Sequence, residues 1–208
     1  MKSVLIATTN PGKLEEFFNL LRSLEVKIFT PTDLGLELQV DETGETYAEN
    51  AALKARAYGR ASRMITLADD SGLEVEALGG APGLFSARYA LEPNASDADR
   101  RAILIKNLQG RPRPWKAAFR AAVAIAVPDA NPHRPIRIEL FEGLCLGEII
   151  PQERGANGFG YDPVFLLPEL NRTMAELTMD EKNHLSHRAR AVIAAESRLK
   201  SLLEDDQT

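Results

Sequence analysis

Two long apolar stretches, Ala117 to Val127 and Ile136 to Ile150, are separated only by the polar, proline-broken segment PDANPHRP, and this pairing constrains the fold more than any other feature of the chain. Along the second stretch Ile136, Ile138 and Leu140 alternate with Arg137 and Glu139, the period of a strand with one covered face. Two such strands joined by a turn-rich loop read as a long β-hairpin. Upstream, strands and helices alternate instead. Val4 to Ala7 reads as a first buried strand, followed by a helix over Pro11 to Leu24 with Leu14, Phe17, Phe18, Leu21 and Leu24 on one stripe. Asn10 stands at its N-cap and Pro11 at its first position. Thr46 and Glu49 have capping-box spacing at the start of a second helix that runs to about Ser62. Asp97 to Leu108 reads as a third helix, with the proline-rich GRPRPWK as a linker behind it. The pattern is that of an α/β protein that turns β-rich in its second half.

A chain of 208 residues, 44% apolar and 26% charged, is expected to form one domain. The formal net charge of -5 argues against a sequence-independent grip on nucleic acid, so any cationic site must be local. The apolar run at the amino terminus is too short for a signal peptide and no later run is long enough to span a bilayer. No nucleic-acid or membrane partner and a cytoplasmic location are expected. Cys145 is the single cysteine, which excludes an intrachain disulfide and a multi-cysteine zinc site. Between Leu144 and Leu146 it reads as an inert strand position.

Four segments carry chemistry. In the first, Met64 to Leu67 is an apolar run that ends in Ala68, Asp69, Asp70, Ser71 and Gly72. This reads as a strand opening onto a polar site, with Leu73 to Leu78 as a separate strand; ligands of α/β proteins bind beyond strand carboxyl ends. A capped turn fits the same pattern. If the backbone is extended there, Asp69 and Asp70 point to opposite faces and do not share one cation. Mg²⁺ takes one or two protein carboxylates, and Asp41 or Glu42 in the loop before the second helix is a candidate for the other, or a solvated acid.

The second segment is the turn Thr8, Thr9, Asn10, Pro11, Gly12, Lys13. It is not a Walker A loop, because Ala7 and Leu14 stand where glycine and a hydroxyl are needed. It is nonetheless a helix amino terminus with free N–H groups suited to an anion. Lys13 in that first turn opposes the helix dipole unless an anion lies near, although a solvated lysine fits too. The third is the glycine-rich loop from Gly155 to Pro163, where the glycines let backbone approach a ligand closely, Phe159 or Tyr161 offers a ring to a base, and Asp162 offers an acceptor; a mobile turn with core aromatics is the plain alternative. The fourth is Thr178 to Arg190. Thr178 and Glu181 again have capping-box spacing, and on one continuous helix Lys182 would not converge with His187 and Arg188. A break at Ser186 resolves this, with Ser186 capping a final helix whose buried stripe is Ala189, Val192, Ile193, Leu199 and Leu203. His187 and Arg188 then occupy a second cationic helix start, which together with Lys13 suggests one polyanionic ligand. His133 and His184 read as surface residues, and the acidic tail Glu204 to Thr208 as frayed.

TTNPGK at 8–13, ETGETYAENAALKA at 42–55, ADDSGLEVEALGGAPG at 68–83, SARYA at 86–90, GFGYDPVF at 158–165 and AELTMDEKNHLSHRARA at 175–191 together resemble the Ham1/RdgB family, the non-canonical purine nucleoside triphosphate pyrophosphatases or inosine triphosphatases. The resemblance spans almost the whole chain, with the blocks in the family's order. It implies an elongated α/β fold with a long mixed central sheet flanked by helices, two lobes around a cleft, a cytoplasmic homodimer and a need for Mg²⁺. It implies hydrolysis of ITP, dITP and XTP to the monophosphate and pyrophosphate. By motif, Thr8 to Lys13 bind the substrate, chiefly its phosphates; Asp70 is the metal-linked proton acceptor; Ser71 contacts substrate; and Phe159, Gly160, Tyr161, Asp162, Lys182, His187 and Arg188 complete the nucleotide site. Lys54 matches a family lysine, and Glu42 matches a metal-ligating acid, with Asp41 and Glu45 as competing neighbours. The match assigns the chemistry to Asp70 and leaves Asp69 in support. Thr9 stands where several relatives have glycine or serine, and Leu91 where glycine is common; neither removes a chemical group. Two rivals remain: a Maf-type pyrophosphatase of pyrimidine or modified nucleotides, which lacks the GFGYDP and SHR blocks, and a non-catalytic nucleotide-binding regulator, against which Asp70 and Lys13 argue.

Overall fold

The computed structural model describes residues 2–90, 92 and 94–205. Leu91 and the last three tail residues, 206–208, lie outside them. Strands β1 (Ser3–Ile6), β2 (Lys27–Phe29), β3 (Thr66–Val75), β4 (Trp115–Val127), β5 (Arg137–Ile149), β6 (Phe165–Leu167) and β7 (Arg172–Thr173) form one sheet in the order β2-β1-β3-β4-β5-β6-β7. The sheet is mixed: β1 is parallel to β2 and β3, while β6 is antiparallel to β5 and β7. The loop between β4 and β5 is too short for the crossover that parallel neighbours require, so the expected hairpin is present, with its strands starting and ending within two residues of expectation. Helices are α1 (Pro11–Leu20), α2 (Tyr47–Ser62), α3 (Asp97–Leu108), α4 (Met179–Leu185) and α5 (His187–Asp205). Among the described residues no helix is long and apolar enough to cross a membrane.

The chain folds as two compact units. The first holds the residues up to Asp70, Ala121–Gly143 and those from Arg188 on. Its strands are covered on both faces, which is why they read as unbroken apolar runs. Val4, Ile6, Leu67, Val123 and Ile125 pack with Phe17 and Leu21 of the α1 segment and Ala191, Val192, Ala195 and Leu199 of α5. The alternate residues Leu5, Ala7, Ala68, Ala122, Ala124 and Ala126 pack with Ala51, Ala55 and Tyr58 of α2. The small side chains let α2 sit close: a β-carbon on its Gly59 would lie 3.1 Å from that of Ala126. The second unit holds Ser71–Arg120 and Leu144–His187, around a core of Leu73, Val75, Trp115, Phe119, Ile149 and Phe165 with Leu104 and Leu108 of α3.

Several expectations need correction. The first helix stops at Leu20, because Leu21 is its C-cap and a 3-10 turn over Arg22–Leu24 follows, ending on left-handed Glu25. Phe18 of the expected stripe is 44% exposed, and the buried position beside Phe17 is Glu16 instead. In α5, Ile193 is 50% exposed and the stripe runs through Ala191 and Ala195. The helix continues through Glu204 and Asp205, which the sequence reads as frayed. The largest correction concerns β3. It runs without a break from Thr66 through both acids to Val75, and Glu76–Leu78 is a 3-10 turn, so Asp69, Asp70 and Ser71 lie within a strand rather than beyond its end. Trp115 and Lys116, expected in a linker, begin β4.

Candidate active site

Strand alternation divides the two acids as the extended backbone demands. Leu67 faces α1 and α5, so Asp69 does too; Ala68 faces α2, and Asp70 follows it. Asp69 is 1% exposed and its Oδ2 lies 3.1 Å from Lys13 Nζ. The same oxygen accepts from Arg188 Nε at 3.0 Å and lies 3.0 Å from Arg188 Nη2, and Arg188 Nη1 donates to Glu16. Burial works against the charges of Asp69, Lys13 and Arg188. Opposing burial, Lys13 and Arg188 hold the Asp69 carboxyl well below the usual carboxylate range. Burial outweighs the attraction of Asp69 at Lys13, whose ammonium is shifted down, whereas Asp69 and Glu16 outweigh burial at Arg188 and keep it charged. The anion that the dipole argument requires near Lys13 is therefore Asp69. Arg188 is turned inward onto the acids at the start of α5.

The turn that presents Lys13 is built by its own side chains. Asn10 Oδ1 accepts the Lys13 N–H at 3.1 Å, Thr8 Oγ1 accepts the Asn10 N–H at 3.2 Å, and Pro11 supplies the first helical position. Thr9, Asn10 and Pro11 are exposed, so the start of α1 faces solvent.

Asp70 has different company. Asn50 Nδ2 donates to its Oδ2 at 3.1 Å, and Lys54 Nζ lies 3.7 Å from its Oδ1 and 3.2 Å from Glu42 Oε1. Asn50 and Lys54 are four residues apart on α2, hence on one face. Burial raises the Asp70 carboxyl above its ordinary value in spite of Lys54 and Lys13, and Glu42 adds to the rise. Two carboxylates thus converge on one ammonium, an arrangement that marks a place for positive charge. Among the described residues no group of three or more His, Cys, Asp or Glu gathers to form a metal cage. Two carboxylates are nonetheless what a protein commonly gives a hard cation that takes its other oxygens from phosphate and water, so Asp70 and Glu42 fit such an ion.

In the second unit the glycine-rich loop is tied to α4. Lys182 Nζ and Asp162 Oδ2 form a buried ion pair at 2.6 Å, and the same Oδ2 accepts the Phe159 N–H at 3.0 Å. The Lys182 ammonium lies 5.2 Å from the centre of the half-buried Phe159 ring. Gly158 sits at φ +74°, and a β-carbon there would stand 2.1 Å from Asp162 Oδ2, so a side chain would push that carboxylate aside. Tyr161 is buried and donates its hydroxyl to the Ser86 carbonyl at 2.9 Å, so it is a wedge under the loop. His187 stacks on Phe119, with ring centres 4.7 Å apart and planes 14° from parallel. The helix break is where the spacing puts it: α4 ends at Leu185, Ser186 is extended, and α5 begins at His187. Ser71 is half-buried in β3, and His133 and His184 are exposed.

Sequence reasoning did not single out Asn50 and Glu16. Each had a signal in its spacing, Asn50 one helical turn before Lys54 and Glu16 one turn after Lys13, each facing the same side as the cation.

A family model described as the Ham1 family matches residues 4–197. The chain belongs to the Ham1 family. Among Ham1 relatives, the dITP/XTP pyrophosphatase of Geobacillus kaustophilus is 47% identical over 193 residues, covering 92% of this chain and 91% of that protein. The dITP/XTP pyrophosphatase of Bacillus anthracis is 42% identical over 199 residues, covering 96% of each. A solved HAM1 protein from Coxiella burnetii is 39% identical, with a TM-score of 0.80 over 99% of this chain and 100% of that one. The Ham1 fold is therefore the fold of this chain, as the sequence blocks imply.

Proposed function

We propose that the chain hydrolyses ITP, dITP and XTP to the nucleoside monophosphate and pyrophosphate, removing deaminated purines from the nucleotide pool. The names of relatives that align along nearly its whole length support this reading. The single observation that carries the chemistry is Asp70: a carboxylate whose affinity for a proton is raised by burial, beside two lysines and a second acid. A base of raised pKa takes a proton from water more readily than an ordinary carboxylate does.

In the proposed reaction Asp70 orients a water and accepts its proton as the water oxygen bonds to the α-phosphorus; the bond from that phosphorus to the bridging oxygen breaks, and pyrophosphate leaves. The substrate carries about four negative charges, and displacement at phosphorus depends chiefly on positioning and neutralising them. Lys13 and the N–H groups at the start of α1, with Thr8, Thr9, Asn10, Pro11 and Gly12, receive phosphate oxygens, and Lys54 supplies a further cation. Asp70 and Glu42 would hold Mg²⁺, and a bound Mg²⁺ would supply positive charge toward the leaving pyrophosphate and lower the pKa of water. Arg188 keeps Asp69 ionised behind Lys13. Ser71, adjoining Asp70 in β3, contacts the substrate.

The base is read by the glycine-rich loop and the residues tied to it. Phe159 stacks on it, Gly160 allows close approach, and the Lys182–Asp162 pair and His187 present polar groups, with Tyr161 beneath. Hypoxanthine and xanthine carry a keto group where adenine carries an amine, so a donor aimed there is satisfied by the former and left unpaired by the latter. Two copies acting as a cytoplasmic homodimer, with no nucleic-acid partner, complete the reading.

The test is incubation with Mg²⁺ and ITP, XTP, dTTP or ATP, with products followed by phosphorus NMR. Pyrophosphate from ITP and XTP is expected. Pyrophosphate from dTTP alone would support the Maf-type rival, no turnover would support the regulator, and orthophosphate would show that another bond is cut.

A further inference from the structure

Gly160 lies between the half-buried Phe159 ring and the buried Tyr161 ring, and both of its backbone polar groups are held by one helix. Asp97 Oδ2 accepts the Gly160 N–H at 2.7 Å, and Arg101 Nη1 donates to the Gly160 carbonyl at 2.8 Å. The two side chains are four residues apart at the start of α3 and so share a face. Each is itself fixed. Arg101 Nε and Nη2 donate to the two oxygens of Glu153 at 2.8 and 2.9 Å, and Arg100 donates to the other oxygen of Asp97. The Gly160 N–H belongs to the peptide that joins Phe159, and its carbonyl to the peptide that joins Tyr161. Holding both fixes the turn at Gly160, whose φ is +61°, and with it the angle between the ring that stacks and the ring that wedges.

We propose that Asp97 and Arg101 are positioning residues for base discrimination, a two-point clamp that holds the 158–162 loop in one conformation; this rests on the reading of that loop as the base-recognition segment. A pre-formed loop does not have to be ordered when substrate arrives, which favours affinity for the matching base. It also cannot adjust around the wrong one. The penalty for an unpaired polar group falls on adenine only as long as the loop cannot move to relieve it. Charge-assisted bonds such as that from Arg101 are the strong ones in a clamp of this kind.

The test compares Arg101→Gln and Arg101→Lys with the wild type, as full-length protein with Mg²⁺, measuring kcat and KM for ITP and ATP. For Arg101→Gln the ratio of kcat/KM for ITP to that for ATP is expected to fall about tenfold, chiefly through a higher KM for ITP, the size expected for one charge-assisted hydrogen bond. Arg101→Lys, which keeps one donor toward the carbonyl, should recover part of the ratio. An unchanged ratio, or a lower kcat at constant KM with both nucleotides, would overturn the clamp. A wild type that cleaves no ITP would overturn the base-loop reading and this proposal with it, whereas an active wild type with an unmoved ratio removes the clamp alone. Should Arg101→Gln fail to fold by circular dichroism, Glu153→Gln, at the exposed end of the same network, is expected to lower the ratio in the same direction, and an unchanged ratio there would overturn the clamp.

Discussion

Asp69→Asn keeps the shape of a side chain that is 1% exposed while taking one negative charge from a buried group of two acids and two bases. Arg188 would keep Glu16, but the group as a whole would carry an uncompensated positive charge. Removing one partner of a buried pair costs about 3–5 kcal/mol. The lower end is expected here, because the Lys13 side chain is 16% exposed and its ammonium, already shifted down by burial, can give up its proton. For a chain of this size ~3 kcal/mol lowers the melting temperature by roughly 6–12 °C. Guanidinium titration at pH 7 measures the free energy, and repeating it in acid checks its cause. Asp69 is held below its ordinary value of 3.8, so its contribution is fully present above that value and is lost as pH falls through the lower value of the folded state. The gap between wild type and variant should be constant from neutral pH down to about 5 and narrow below about 4. A gap under about 1 kcal/mol at pH 7, or one that narrows as pH rises from 5 to 7, would refute the assignment of Asp69 as the counter-ion of Lys13 and Arg188.

Asp70→Asn should show the opposite balance: ITP turnover falls by about 10²–10⁴, the usual worth of a general base, while the unfolding midpoint stays at or above that of wild type, because burial disfavours the Asp70 charge at pH 7. Near-normal turnover would remove Asp70 from the chemistry. Gly158→Ala should cost about 1–3 kcal/mol of strain and raise the KM for ITP, since its methyl group would displace Asp162 from Lys182; melting curves and initial rates measure the two effects, and an unchanged KM would count against the Lys182–Asp162 pair as part of the base site. EDTA should abolish ITP cleavage and Mg²⁺ restore it, and Glu42→Gln should raise the Mg²⁺ concentration giving half-maximal rate; a half-maximal concentration equal to wild type would remove Glu42 as a ligand.

Local rules read well where the cause is local. The capping boxes at Thr46 and Thr178, the Asn10 cap and the break at Ser186 each depend on residues within one turn of one another, and all are present. The alternation of the β4–β5 hairpin is a property of each strand alone. What escaped depends on partners far along the chain. Two acids in a row look like the end of a strand because a buried charge in mid-strand is costly; β3 carries them because Arg188, distant by 119 residues, and Lys13 and Lys54 compensate them. Strands of two or three residues such as β2, β6 and β7 are too short to show a period. Phe18 and Ile193 satisfy the helical spacing, yet Glu16 and Ala191 hold the buried places because there the helices meet a charge network and closely packed small residues. Of the site, the residues offering charge or a hydroxyl were legible by type. Which cation answers which acid was not, since pairing is decided by strand faces and helix docking rather than by spacing.

β3 has a consequence for how the chain tolerates change in length. Because both acids sit on one uninterrupted strand, their assignments depend on whether the number of residues from Thr66 to each is odd or even. Deleting one residue between Thr66 and Asp69 would leave every chemical group in place in the sequence and exchange their destinations, sending the acid meant for Lys54 toward Arg188 and the other toward α2. Substitutions in β3 remove one group at a time. A gain or loss of one residue rewires both at once, and only a change of two restores the parity on which the site is built.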